Sequence, residues 1–465
     1  MINDTSKLAA PILLTLLFAS GCTAHYPVNS PLHQIDIGSG YRTHATEGRA
    51  DCSDSLMVVL AFSGGGTRAA AFSYGVLETM RDITIEWEGC SRQLLNEIDT
   101  ISAVSGGSFT AAYFGLFGER IFEDYEDKFL NADVQGYLTW SLFRPWNWFR
   151  LGSSFFGRSE FAADYYDKIL FEGKTFADLM IREGPVIQIN ATEVSTGTQF
   201  TFMQDWFDPL CSDLASFSIA RAVTASSAVP VLFSSITINN YAGSCDYQLA
   251  PRAIAALNDL DPTSRRRHLA RKYTQYLDRE LHPYLHLYDG GLTDNLGVRP
   301  PMNRLELAGG GWELAKLENR RELRKLLFVI VNSQAESKTG FSLSASSVPL
   351  LDTILGATSI PLNELTFESL AAVKTQLDAF KRQYADGRCA DLAERGENTA
   401  ACDDLKAYLV IVDLDQVSDS GRRSRLKQIP TSFVLKPEQV DELRDAARTV
   451  LLSSKEFQRF LDDTR

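Results

Sequence analysis

Two serines in this 465-residue chain stand where local structure can turn a hydroxyl into a nucleophile. Ser105 lies in Ala103-Val104-Ser105-Gly106-Gly107, and Ser63 in Ala61-Phe62-Ser63-Gly64-Gly65. Both are variants of the G-x-S-x-G elbow, with alanine at the first glycine position. The elbow needs small residues two before and two after the serine, because its strand-to-helix turn is too tight for larger side chains; the turn then holds the hydroxyl out at the edge of the sheet. A helix starting directly behind it aims backbone N–H groups at developing negative charge. The pattern by itself does not choose between Ser63 and Ser105. Gly64, Gly65 and Gly66 add a second feature, because consecutive glycine amides form a concave nest for an oxyanion or a phosphate. Arg68 would help position an anionic group there.

The same loop satisfies G-x-G-x-x-A as Gly64-Gly65-Gly66-Thr67-Arg68-Ala69, the dinucleotide fingerprint. Glu86 follows at about the 20-residue spacing where a ribose ligand is sought. A dinucleotide enzyme is therefore a competing reading, but it leaves Ser105 without a role.

A serine nucleophile needs a base. The chain has six histidines, His25, His33, His44, His268, His282 and His286. The order Ser, acid, His leaves only the last three, and none follows His286, which lies inside the strand-like run Tyr284 to Tyr288. Asp289 comes directly after that run and before Gly290-Gly291. Asp-Gly is an ordinary turn dipeptide, yet a carboxylate acting directly on the serine is allowed chemistry.

Taken in order, three blocks resemble those of bacterial patatin-like phospholipases, serine lipid acyl hydrolases with a Ser-Asp dyad. They are Gly64-Gly65-Gly66-Thr67-Arg68, Ser105 within Ala103 to Gly107, and Asp289-Gly290-Gly291. Ala222 to Pro230 is similar to a small-residue and proline segment of the same enzymes. The likeness runs from about Leu56 to Pro300 and departs at Ala103. It implies that Ser105, rather than Ser63, attacks a carboxylic ester of a phospholipid or related lipid and is acylated. Asp289 would accept the proton and the amides of Gly64, Gly65 and Gly66 would hold the oxyanion, with no cofactor and no metal. A catalytically silent lipid-binding or envelope-assembly lipoprotein is the alternative from another class. The intact nucleophile, base and loop favour the enzyme.

The elements that must carry these residues are legible as alternating patterns. Leu56 to Phe62 is a continuous apolar run, as in a strand buried on both faces of a parallel sheet. A glycine turn and a helix over Arg68 to Met80 follow it. Glu97 to Val104 and Ser108 to Phe117 repeat the unit. Further strands are expected at Pro185 to Ala191, Tyr284 to Tyr288, Leu326 to Asn332 and Ala407 to Leu414. Helices are expected at Ser218 to Ala228 and from Pro437 onward. Such alternation predicts an α/β fold with a largely parallel central sheet and helices on both faces, a three-layer sandwich. The catalytic domain is expected over 55–335, with insertions near 120–175 and 246–282. Residues 336–465 would form a C-terminal extension of helices and strands packed on that domain. Between Tyr137 and Phe156 stand Trp140, Trp146 and Trp148 with Arg144 and Arg150. Such residues prefer a lipid–water boundary, so this stretch is expected at the active-site mouth, at a membrane or in the core.

Apolar residues make up 45% of the chain and charged residues 23%, which excludes global disorder. A net charge of -13 gives no reason to expect nucleic acid as a partner. Leu8 to Phe18 is too short to span a bilayer, which takes about 20 residues, and reads as an export signal over 1–21. Ala19-Ser20-Gly21-Cys22 resembles a lipobox, so Cys22 is expected to be lipidated and to tether the protein through residues 22–54. The protein would then be an exported, membrane-anchored lipoprotein of the bacterial cell envelope, in the periplasm or on the outer membrane. Six other cysteines remain, and in an oxidising compartment the sequence-local pairs Cys52–Cys90, Cys211–Cys245 and Cys389–Cys402 are expected.

Overall fold

The computed structural model describes residues 29–43, 55–142, 157–230, 232–335, 345, 347–348 and 350–464. The export signal, Cys22, Cys52 and most of the aromatic stretch, 143–156, lie outside the described residues.

Eight strands form the central sheet: β1 (Leu56–Phe62), β2 (Ile98–Val104), β3 (Val186–Glu193), β4 (Thr198–Thr201), β5 (Ile236–Asn239), β6 (Tyr284–Asp289), β7 (Lys325–Asn332) and β8 (Lys406–Asp413). Their order is β8-β7-β1-β2-β3-β6-β5, with β4 paired to β3. From β8 to β3 every neighbour is parallel. The β4, β6 and β5 pairings are antiparallel. The fold is thus a mixed α/β sandwich on a mostly parallel sheet.

Side-chain alternation along the strands separates two cores. Val58, Leu60 and Phe62 of β1 join a large cluster with Phe72 and Leu77 of helix α1 (Gly66–Arg81), Phe109 and Tyr113 of α2 (Gly106–Phe117) and Val440 and Leu443 of α5 (Pro437–Ser453). Val59 and Ala61 face the other way, onto Met302 and onto Val373, Phe380 and Tyr384 of α4 (Leu350–Glu394). Helices therefore cover both faces. The outer strand β8 shows the consequence of its edge position, alternating buried and partly exposed residues, where the inner β7 is buried throughout.

Several elements were not expected from the sequence. α4 runs 45 residues with Pro361 inside it, β4 and β5 extend the sheet, and α3 (Ile219–Ser226) is shorter than its apolar pattern. Disulfides join Cys211 to Cys245 and Cys389 to Cys402. Among the described residues no helix is long and apolar enough to cross a membrane.

Candidate active site

The first requirement is a serine held out of the sheet. β2 ends at Val104 and α2 begins at Gly106, so Ser105 must reverse the chain in a single residue. It does so with φ 49° and ψ -121°, a region that costs a non-glycine residue on the order of 1–3 kcal/mol and persists only where neighbours fix it. Those neighbours are identifiable. The Ser105 N–H donates to Ser226 Oγ at 2.8 Å, and Ser226 Oγ donates in turn to the Asn190 carbonyl at 2.6 Å. On the other side, the Ser105 carbonyl accepts from the Ser108 N–H at 3.0 Å and from Ser108 Oγ at 2.6 Å. The elbow's glycine has an equally plain cause: a Cβ on Gly106 would sit 2.0 Å from the Gly66 carbonyl. The glycine loop after β1 thus lies directly against the serine turn.

The acid arrives from the opposite direction. Val104 is paired with Asn190 and Asp289 with Ala191, so consecutive residues of β3 hold the ends of β2 and β6 together. Ser105 Oγ donates to Asp289 Oδ2 at 2.9 Å. The Gly291 N–H donates to Asp289 Oδ1 at 2.8 Å. Asp289 is buried, and loss of water pushes its carboxyl up to about 6, against the two hydrogen bonds, which favour the charged form.

The glycine loop supplies donors, though not all three that the sequence suggested. The Gly64 N–H already donates to the Asn295 carbonyl at 2.9 Å, so the loop narrows to Gly65 and Gly66. Their φ values, 141° and 62°, are open to glycine and strained for other residues. Among the described residues their amides, and that of Gly106 behind the serine, have no hydrogen-bond partner.

Arg68 corrects the expectation that it positions an anionic group of the substrate. It is buried, and Nε donates to the Ser333 carbonyl at 2.7 Å, Nη1 to the Ile429 carbonyl at 2.5 Å and Nη2 to Thr431 Oγ1 at 3.0 Å. Burial lowers its guanidinium to about 10. Its donors are spent stapling the start of α1 to the ends of two other segments.

The competing readings separate on geometry. Ser63 is buried, accepts the Ser333 N–H at 3.0 Å and lies 3.3 Å from Ser333 Oγ, and among the described residues no carboxylate hydrogen-bonds to it. His286 Nδ1 contacts Thr237 Oγ1 at 3.0 Å, and among the described residues no histidine bonds Ser105 or Asp289. The N-terminus of α1, where a pyrophosphate would sit, is crowded by a carbonyl: the Thr67 N–H donates to the Ser432 carbonyl at 2.9 Å, and a Cβ on Gly66 would lie 2.4 Å from that oxygen. Glu86 is exposed on a two-stranded hairpin outside the central sheet. No group of three or more His, Cys, Asp or Glu side chains suited to a metal occurs among the described residues.

Asn190, Asn295 and Ser432 had no sequence signal, and Ser226 had only its place in the Ala222 to Pro230 segment. They are common residue types in a strand, a helix end and loops, and only the tertiary fold brings them to the elbow. Of the aromatic stretch, Trp140 is 59% exposed, while Tyr137 stacks on Tyr165 with ring centroids 4.1 Å apart. Their helix, Val134–Leu142, is tied to the 432–434 segment by the Gln135 N–H and the Phe433 carbonyl.

Fold and site together define a three-layer α/β protein whose serine elbow meets a buried aspartate beside a glycine loop. The sequence matches the family model for patatin-like phospholipases over residues 60–302, just over half of its length, and the chain belongs to that family. Among solved structures, human GIVD cytosolic phospholipase A2 is similar, with a TM-score of 0.40 and 13% identity over 91% of this chain. This chain spans 62% of that protein's length. No curated protein matches the sequence significantly.

Proposed function

We propose that the protein is a lipid acyl hydrolase that cleaves carboxylic esters of phospholipids or related lipids through a Ser105–Asp289 dyad. The observation that carries the reading is the 2.9 Å contact from Ser105 Oγ to Asp289 Oδ2 at a serine held in the strained elbow conformation. Ser105 Oγ bonds to the ester carbonyl carbon while its proton passes to Asp289 Oδ2. The carbonyl π electrons move onto oxygen, where the amides of Gly65 and Gly66 meet the charge. Collapse of that intermediate breaks the ester C–O bond, and the departing alkoxide takes the proton from Asp289. Water then gives a proton to Asp289 as its oxygen bonds to the acyl carbon, and the acyl–Ser105 bond breaks to release the fatty acid while Asp289 returns the proton to Ser105 Oγ. A carboxyl near 6 suits both halves, because a base works best with a pKa close to the operating pH.

A fluorophosphonate probe tests this directly. It is expected to label Ser105, and Ser105→Ala and Asp289→Asn are expected to lose labelling and ester hydrolysis in folded protein, while Ser63→Ala keeps most of both. Loss of labelling in Ser63→Ala alone overturns the choice of nucleophile. A folded wild-type protein that binds lipid vesicles but neither labels nor hydrolyses any ester supports the silent lipid-binding alternative.

The bacterial lipoprotein reading rests on the pattern from Leu8 to Cys22. On that reading the enzyme is held on a membrane of the cell envelope by acyl chains on Cys22, next to its substrate. Metabolic labelling with palmitate is expected to mark the protein, and Cys22→Ala to abolish the label; label retained in Cys22→Ala refutes the anchor.

A further inference from the structure

Asn295 stands where the three catalytic blocks meet, and neither its position in Thr293-Asp294-Asn295 nor the dyad chemistry gives it a task. Its backbone carbonyl accepts the Gly64 N–H at 2.9 Å. Its side chain lies on the same flank of Gly64 as the nucleophile: a Cβ on Gly64 would be 2.5 Å from Asn295 Oδ1 and 3.2 Å from the Ser105 Cβ. The same carboxamide reaches the acid block. A Cβ on Gly291 would be 3.0 Å from Asn295 Oδ1 and 2.9 Å from Asp289 Oδ1. Asn295 is therefore wedged between the glycine loop, the serine and the aspartate, and both flanking positions are glycine because its Oδ1 fills the space a side chain would need.

The carboxamide is also unspent. Asn295 is only partly buried, and among the described residues neither Oδ1 nor Nδ2 has a hydrogen-bond partner, although the backbone of the same residue is bonded. Nearby polar groups are committed: Asp294 Oδ1 and Oδ2 accept the Leu296 and Arg299 amides at 3.3 and 2.7 Å, and each of the three Arg68 nitrogens already donates one hydrogen bond. A carboxamide carries both an acceptor and a donor; Oδ1 is the atom turned to Gly64 and Gly291, which leaves Nδ2, on the same carbon, as a donor that no described group holds. The carboxamide is neutral, so it meets negative charge on the substrate without altering the ionisation of Asp289, as a lysine or arginine in its place would.

Building on the dyad reading, we propose that Asn295 is a further catalytic residue, whose Nδ2 donates to the substrate's ester oxygen as negative charge develops there, alongside the amides of Gly65 and Gly66. Asparagine side chains serve as such donors, and removing one costs on the order of 10²–10³ in kcat. The contribution belongs to the transition state, so it falls on kcat rather than on KM.

The test uses the full-length protein and a soluble short-chain p-nitrophenyl ester. Wild-type turnover and fluorophosphonate labelling at Ser105 come first; if both are absent, the dyad reading has failed and the role of Asn295 is refuted with it. With wild-type activity in hand, Asn295→Ala is expected to lower kcat by about 100-fold with KM changed less than about 3-fold, at an unchanged melting temperature. Asn295→Asp keeps the shape and the backbone bond to Gly64 but removes the donor, and is expected to lose at least as much kcat at pH 8. A wild-type kcat in Asn295→Asp refutes the donor role whatever the alanine variant does. So does a loss in Asn295→Ala that appears in KM alone or only together with a lowered melting temperature.

Discussion

Asp289→Asn should inactivate the protein and stabilise it at the same time, because the feature that prepares the carboxylate as a base is a cost to the fold. Burial raises its pKa from 3.8 to about 6. The folded protein holds this proton more tightly than the unfolded chain does, so stability falls as pH rises from about 4 to about 6, at up to ~1.36 kcal/mol per unit. Asparagine keeps the geometry, with an oxygen to accept the Gly291 N–H now at 2.8 Å and an amide to face Ser105 Oγ, but carries no charge to desolvate. A shift of about 2 units corresponds to about 3 kcal/mol gained by the variant at pH 8, shrinking to about 1 kcal/mol at pH 4.5 as the wild-type carboxyl takes up its proton. Urea unfolding of both proteins at the two pH values, with disulfides intact, reads this difference, and ester hydrolysis read in parallel should be lost at both. A variant less stable than wild type at pH 8, or a gain of equal size at both pH values, would show that charge burial is not what shapes this site.

Other consequences follow from the same contacts. In wild type, kcat/KM should fall on the acid side with an apparent pKa near 6, since Asp289 must be ionised to accept the serine proton; a limb near 4 would contradict a buried base. Arg68→Met should lower kcat at least about 10-fold and lower the melting temperature, by leaving the Ser333 and Ile429 carbonyls without their donors. Equal losses on anionic and neutral esters are expected, and a loss confined to anionic substrates would return Arg68 to substrate binding. Replacing both cysteines of a pair by serine should destabilise by about 4 kcal/mol for Cys211–Cys245 and about 3 kcal/mol for Cys389–Cys402, whose sequence separations are 34 and 13. Unfolding midpoints measured under oxidising conditions check both.

How much of this was legible beforehand depends on whether a role is set by neighbours in sequence or in space. The strand Leu56–Phe62 was read to the residue, because burial on both faces leaves an uninterrupted apolar run. Ser105 stood out because its constraint is local: a one-residue reversal demands small flanking residues. The local pattern fitted Ser63 as well, and Ser105 was preferred through the order of the three family-like blocks; its contact with Asp289, which spans 184 positions, agrees with that choice. The donor count of the glycine loop and the task of Arg68 were misjudged because Asn295, Ser333 and Ile429 are invisible from residues 64–68. Helix α4 was missed because Pro361 reads as a break and its buried side chains, such as Val373, Phe380 and Tyr384, are sparse among exposed polar ones.

Those long-range partners also show why the chain beyond residue 302 matters to a site whose three motifs end before it. The strand β7 ends at Asn332, and Ser333 directly after it takes a hydrogen bond from Arg68 and donates its own N–H to Ser63. The segment at 429–432 supplies Arg68 with two more acceptors and closes the start of α1 with the Ser432 carbonyl. Both segments contact the loop, and Gly106 of the elbow presses on Gly66 as well. A loop with positive φ at two successive glycines has little internal preference for one shape, so its conformation must come from what is packed around it. Here that packing leaves the Gly65 and Gly66 amides unspent while the Gly64 and Thr67 amides on either side are bonded. The glycine loop is thus a local motif whose shape is held largely by Asn295 and Ser432, more than 200 positions away.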